Sequence, residues 1–206
     1  MPSEASGPGT KRTASATRNT GETQVSVDVN IDGTGLFDIK LDNGMMKHML
    51  AQFSKHGLID LNLTATGDNE VGWHHIIEDI GIVLGRVLRE AVGDARGIIR
   101  MGHSYAPLDE ALALTVVDFS GRGYSVISAT IGDDDMGELA PDLIRHFLES
   151  MAREAGMALH VQLLSGTNNH HKAEVIFKSL GRAVRMAVSR DPRASDDVPS
   201  TKGSLV

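Results

Sequence analysis

The 206-residue chain contains no cysteine, so disulfides and thiolate metal sites are both excluded. A cysteine-free chain suits a reducing cytoplasm, which is the expected location. Aromatic residues are scarce, with one Trp, two Tyr and five Phe, so the core must be aliphatic. No apolar run approaches the ~18 residues of a membrane helix, and no membrane partner is expected. Net charge is −7, and the 20 basic and 27 acidic residues are interspersed. Without a Lys/Arg stripe, nucleic acid is not an expected partner. Residues 1–17 (MPSEASGPGTKRTASAT) are small, polar and aperiodic. They read as a disordered N-terminal tail; Glu4 and the missing apolar face argue against a transit peptide.

What the chain does contain is a repeat of itself. From Glu22, ETQVSVDVNIDGTG lies over EALALTVVDFSGRG from Glu110. Both alternate apolar and polar residues and then turn at Asp32-Gly33 or Ser120-Gly121, which predicts a strand and a hairpin turn. Outgoing strands are predicted over 35–41 and 124–131, and helices over 45–56 and 142–154, with His48 and His146 in matching places. Strands follow over 58–66 and 158–164, then longer helices over 74–92 and 170–188, where Leu84-Gly85-Arg86 and Leu180-Gly181-Arg182 coincide. Each half therefore reads β-β-α-β-α, an α+β fold of two similar halves whose helices cover the strands. The halves span 18–105 and 106–190; residues 191–206 form a C-terminal tail carrying Pro199-Ser-Thr-Lys-Gly203.

The repeat carries His74, His75 and Glu78 in one copy and His170, His171 and Glu174 in the other. Residues i and i+4 share a helix face, so His74 with Glu78, and His170 with Glu174, can hold one ion each. His75 and His171 point about 100° away from their neighbours and must serve another ion or another purpose. Adding His48 and His146 gives six imidazoles and two carboxylates, four ligands for each of two ions. An octahedral ion would keep two positions open, which suits catalysis. This donor set favours Mn, Fe, Zn or Ni without choosing among them.

Other residues are less constrained by pattern. Glu22 and Glu110 start equivalent strands, and either becomes a general base if it faces the metal. Arg100, Arg122, Lys178 and Lys202 are candidate anion ligands, and Ser200, Thr201 and Gly203 add donors suited to a phosphate in a flexible tail. His56 reads as a charged residue at a helix C-terminus, with a substrate contact as the second reading. His160 reads as a core residue of a strand, and His103 as a solvent-exposed loop residue.

With these residues in place, the chain resembles the imidazoleglycerol-phosphate dehydratases, lyases of histidine biosynthesis. The resemblance rests on RNTGET (18–23), HML (48–50), HHIIED (74–79), PLDEAL (107–112), DFSGR (118–122), HFL (146–148), GTNNHHKAEVIFK (166–178) and PSTKG (199–203), in order along nearly the whole chain. It implies helices packed between two four-stranded sheets. It also implies a homo-oligomeric cage of 24 subunits, with two Mn2+ per active site at subunit contacts. The metal ligands carried over are His48, His74, His75, Glu78, His146, His170, His171 and Glu174. Glu22, His56, Arg100, Arg122, Lys178, Ser200 and Lys202 would contact the substrate, and Glu22, His75 and Glu174 would share the catalytic work. The implied reaction takes imidazole glycerol phosphate to imidazole acetol phosphate. An imidazolate helps expel hydroxide, the next C–H is then acidic enough for Glu22 or a metal-held group, and an enol relaxes to the ketone.

Two places depart from the family pattern. Lys47 stands where an Asp usually precedes the ligand His, and Gly72-Trp73 stands where two Asp usually precede His74-His75. A carboxylate beside a ligand His orients its ring and tunes its basicity. Two further readings therefore accompany the dehydratase: a divergent metal-dependent paralogue acting on another small phosphorylated substrate, and a catalytically silent shell cemented by metals.

Overall fold

The computed structural model describes residues 12–68, 72–134, 136–194 and 197–205. In the first half, β1 (Thr13–Asn19), β2 (Thr23–Asn30) and β3 (Phe37–Lys40) precede α1 (Gly44–Gly57), β4 (Asp60–Gly67) and α2 (His74–Val92). The second half repeats this order with β5 (Met101–Leu108), β6 (Ala111–Asp118), β7 (Tyr124–Ser128), α3 (Pro141–Ala155), β8 (Ala158–Ser165) and α4 (Asn169–Val188). The strands form two four-stranded sheets in the equivalent orders β1-β2-β4-β3 and β5-β6-β8-β7.

Alternation sets which strand face is inside. Val25, Val27 and Val29 of β2 point inward, as do Ala113 and Val117 of β6. The helices cover these faces: α2 lies on β1 and β2, and α4 on β5 and β6. The helices also meet across the halves, α2 against α3 and α1 against α4. The shared core has few aromatic rings; Phe147 and Phe177 stack at its centre with centroids 5.4 Å apart.

The helix crossings explain the repeated Leu-Gly-Arg. A Cβ on Gly181 would sit 2.4 Å from the Phe53 carbonyl oxygen of α1, and one on Gly85 would sit 2.5 Å from that of Met151 on α3. Only glycine permits backbones this close. The approach places His48 of α1 beside the start of α4, and His146 of α3 beside the start of α2.

Several expectations change. The fourth strand of each sheet is supplied by β1 and β5, which precede the β-β-α-β-α pattern read from the sequence. Residues 13–17, expected in the tail, belong instead to β1, whose Thr13–Asn19 pairs antiparallel with β2; the rest of the expected tail, residues 1–11, lies outside the described residues. The turns after β2 and β6 are not hairpin turns, because β4 and β8 insert between their arms: β4 pairs antiparallel with β2 and parallel with β3. His103 lies on β5 rather than in a loop, although it is exposed as expected. His160 is exposed rather than in the core, because its β8 neighbours Leu159 and Val161 take the inward positions. Residues 197–205 are not a loose tail: Val198 is buried, and Arg100 Nη1 donates to the Pro199 carbonyl at 2.6 Å.

Candidate metal centre and anion pocket

The cross-half helix contacts assemble one convergent cluster and, at the matching place in the other half, a looser one. In the first, His48 Nε2 and His170 Nε2 each stand 3.1 Å from Glu174 Oε2. The ligand atoms of these three residues all lie within 4.8 Å of one another, close enough to converge on one ion. In the second, His74 Nε2 is 3.9 Å from Glu78 Oε2, and the rings of His74 and His146 meet edge-on with centroids 4.4 Å apart. Each cluster thus takes two ligands from one turn of a long helix and the third from the opposite half.

Glu174 is buried and Glu78 is not, with side-chain exposures of 11% and 34%. Burial opposes ionisation of Glu174, yet Lys178 and His48 hold its carboxyl at a pKa of about 2. It is therefore a carboxylate at any physiological pH and ready to ligate a cation.

His75 and His171 turn away from these clusters, as their helical spacing requires. The ring of His171 is nearly perpendicular to that of His170, with centroids 6.2 Å apart, and His75 stands likewise to His74 at 5.8 Å. In one chain, then, six of the eight expected ligands form two groups of three and two face outward. Each outward ring has its Nδ1 towards carboxylates: His171 lies 2.8 Å from Glu110 Oε2, and His75 lies 3.5 Å from Asp68 and 3.8 Å from Glu22. Such a pairing fixes the tautomer and leaves Nε2 free to bind.

The two equivalent glutamates part company here. Glu110 Oε1 also accepts from the Thr167 and Asn168 backbone N–H groups at 3.1 and 2.8 Å. The Asn168 N–H, His171 and the Thr167 N–H push its carboxyl far below the usual range, and the same three contacts fix its position. Its contact with His171 raises the His171 pKa. In Glu110→Gln, chelator-treated His171 should titrate at lower pH than in the native chain, read from its ring proton shifts; an unchanged titration would deny Glu110 this role.

Glu22 stays exposed. Its position is set by RNTGET: Thr20 Oγ1 accepts the Glu22 and Thr23 backbone N–H groups at 3.1 and 2.9 Å. Thr23 Oγ1 then donates to buried Asp79, which also receives Arg18 Nε at 2.7 Å. Arg18, Thr23 and Asp79 were not singled out in the sequence. Asp79 could have been, as an acid on the apolar side of an amphipathic helix.

The anion candidates divide into two places. Arg100, Arg122, Ser200 and Lys202 line one cavity of about 600 Å3, together with Ser120 and Thr201. Arg100 grips Asp118 through Nε and Nη2 at 2.7 and 3.0 Å, so its guanidinium is fixed before any ligand arrives. Lys178 is elsewhere, its Nζ 2.6 Å from Glu174 Oε1. Half-buried His56 is held towards the neutral form by burial, with Lys178 and Arg182 adding to the effect. Burial thus disfavours the charged form expected of it at this helix end.

The cavity sits at the far end of the helices from the clusters. Arg100 N donates to the Ala187 carbonyl near the end of α4, whereas Glu174 lies near its start. Thirteen residues of helix separate Glu174 from Ala187, about 20 Å. A small substrate cannot bridge that span within one chain.

The fold and its convergent imidazole–carboxylate cluster define a duplicated α+β protein with a candidate metal site. The sequence profile of imidazoleglycerol-phosphate dehydratase matches residues 41–184. An imidazoleglycerol-phosphate dehydratase of Herminiimonas arsenicoxydans is 47% identical over 196 residues, 95% of this chain and 99% of that protein. Its namesake in Nitrosomonas eutropha is 49% identical over 196 residues, 94% and 100% of the two chains. The crystal structure of the Staphylococcus aureus imidazoleglycerol-phosphate dehydratase superposes with a TM-score of 0.78 at 34% identity, covering 87% of this chain and 99% of that one. The Pyrococcus furiosus IGPD, solved in complex with (S)-C348, gives a TM-score of 0.79 at 36% identity, covering 92% and 99%. The chain belongs to the imidazoleglycerol-phosphate dehydratase family, and so to the hydro-lyases.

Proposed function

We propose that this chain converts imidazole glycerol phosphate to imidazole acetol phosphate in cytoplasmic histidine biosynthesis, using two Mn2+ per active site. The observation that carries the metal part is the convergence of His48, His170 and Glu174, ligand atoms within 4.8 Å, in a chain of this family. The donor set fits: imidazoles and an ionised carboxylate, without thiolate, suit a divalent ion of intermediate softness. His74, Glu78 and His146 would hold the second ion, and His75 and His171 would each complete a site on a neighbouring copy. Bound divalent ions would act as Lewis acids that favour the imidazolate form of the substrate.

The chain's own groups then have separable tasks. Arg100, Arg122, Ser200 and Lys202 bind the phosphate in a pocket whose central guanidinium is already fixed. Glu22, exposed and 3.8 Å from His75 Nδ1, takes the proton from carbon once hydroxide has left the neighbouring carbon. Since the pocket and the Glu174 cluster lie about 20 Å apart along α4, they would meet across a subunit boundary. The proposed particle is accordingly a homo-oligomer, built so that one copy's phosphate pocket abuts another's metal clusters; the family resemblance puts its size at 24 copies.

The test supplies Mn2+ and imidazole glycerol phosphate to purified protein and measures ketone product alongside native mass. Turnover by a 24-mer is the expected outcome. Fully metal-loaded particles without turnover would shift the reading to a paralogue with another phosphorylated substrate, where Lys47, Gly72 and Trp73 replace carboxylates, or to a silent shell.

A further inference from the structure

Lys178 lies one turn beyond Glu174 on α4, with Nζ 2.6 Å from Oε1. The other oxygen, Oε2, is the one 3.1 Å from both His48 and His170. Neither member of the ion pair is more than one-sixth exposed, at 16% and 11%, so water screens it poorly. An ion on Oε2 and an ammonium on Oε1 would draw on the same negative charge and repel each other.

The other half offers an internal comparison. The position that matches Lys178 is Ile82, which is buried in the apolar face of α2. Glu78 instead meets Arg153 Nη2 at 4.0 Å, from a side chain that is 56% exposed and better screened by water. Duplication thus produced two clusters of the same ligand types, of which one has a cation fastened to its carboxylate.

We propose that Lys178 is a rival cation for Glu174, driven off Oε1 when a divalent ion takes Oε2 and then available to a dianionic group of the substrate. The proposal rests on the metal reading above. A released ammonium, little hydrated and without its carboxylate, gains more from a dianion than one already paired. Metal loading and anion binding are therefore linked through one side chain, and by reciprocity each strengthens the other. The linkage belongs to the His48–His170–Glu174 cluster and not to its counterpart.

The experiment titrates full-length protein with Mn2+, counting free ion by electron paramagnetic resonance, with and without sulfate as the dianion probe. Wild-type protein should bind one class of Mn2+ more tightly when sulfate is present. Lys178→Met should raise the affinity of that class on the order of tenfold and abolish the sulfate effect. Lys178→Arg keeps a cation and should behave as wild type. Unchanged or weaker Mn2+ binding in Lys178→Met, as a merely supporting side chain would give, overturns the proposal, and so does a wild-type protein indifferent to sulfate. Failure of all three proteins to bind Mn2+ would instead overturn the metal reading itself.

Discussion

Glu22→Gln is expected to lower turnover by about 10²–10⁴-fold while leaving bound metal unchanged. The amide retains size and shape but cannot accept a proton from carbon. Glu22 is exposed and only loosely associated with His75, so its loss should disturb no packing. Glu110→Gln should differ in kind, because Glu110 is pinned by Thr167, Asn168 and His171. There the damage should appear first as weaker metal binding, with turnover recovering at high Mn2+. Steady-state rates beside metal content by mass spectrometry distinguish the two. Near-native turnover in Glu22→Gln would remove that residue from proton transfer.

Gly181→Ala should destabilise the protein by about 1–3 kcal/mol, the usual cost of forcing extra volume into a packed contact. The added Cβ would meet the Phe53 carbonyl at 2.4 Å and the Gly57 nitrogen at 3.0 Å, both backbone atoms with no rotamer to yield. Helix α1 must therefore shift, and it carries His48. Loss of Mn2+ affinity should accompany the loss of stability, although Gly181 touches no ligand. Gly44→Ala is the control: nothing lies within 4 Å of its would-be Cβ, and it should be neutral or slightly stabilising. Thermal unfolding of both variants decides the matter; equal midpoints would mean that the crossing tolerates a methyl group.

Features carried by local spacing were legible early. The repeated strand, helix and HHxxE order predicted two halves because periodicity and turn residues act over a few positions. The edge strands β1 and β5 escaped notice because they scarcely alternate. β5 turns Gly102, Ser104 and Ala106 inward, and a Cβ on Gly102 would lie 2.0 Å from the Ala183 carbonyl, so α4 leaves no room for larger side chains. β1 offers only Ala14 and Ala16 to the core. Small residues packed under a helix look, in sequence, like a polar loop.

The amino-acid order by itself determined the duplication, the eight imidazole and carboxylate candidates, and which neighbours on a helix could share an ion. Tertiary structure alone decided that His48 joins α4 and His146 joins α2, that Glu110 is locked while Glu22 is free, and that Lys178 fastens on Glu174. It also decided that the anion pocket lies at the opposite end of the helices from both clusters. The division follows from range: a helical turn is set within four residues. Which carboxylate meets which cation depends instead on how closely two distant backbones approach.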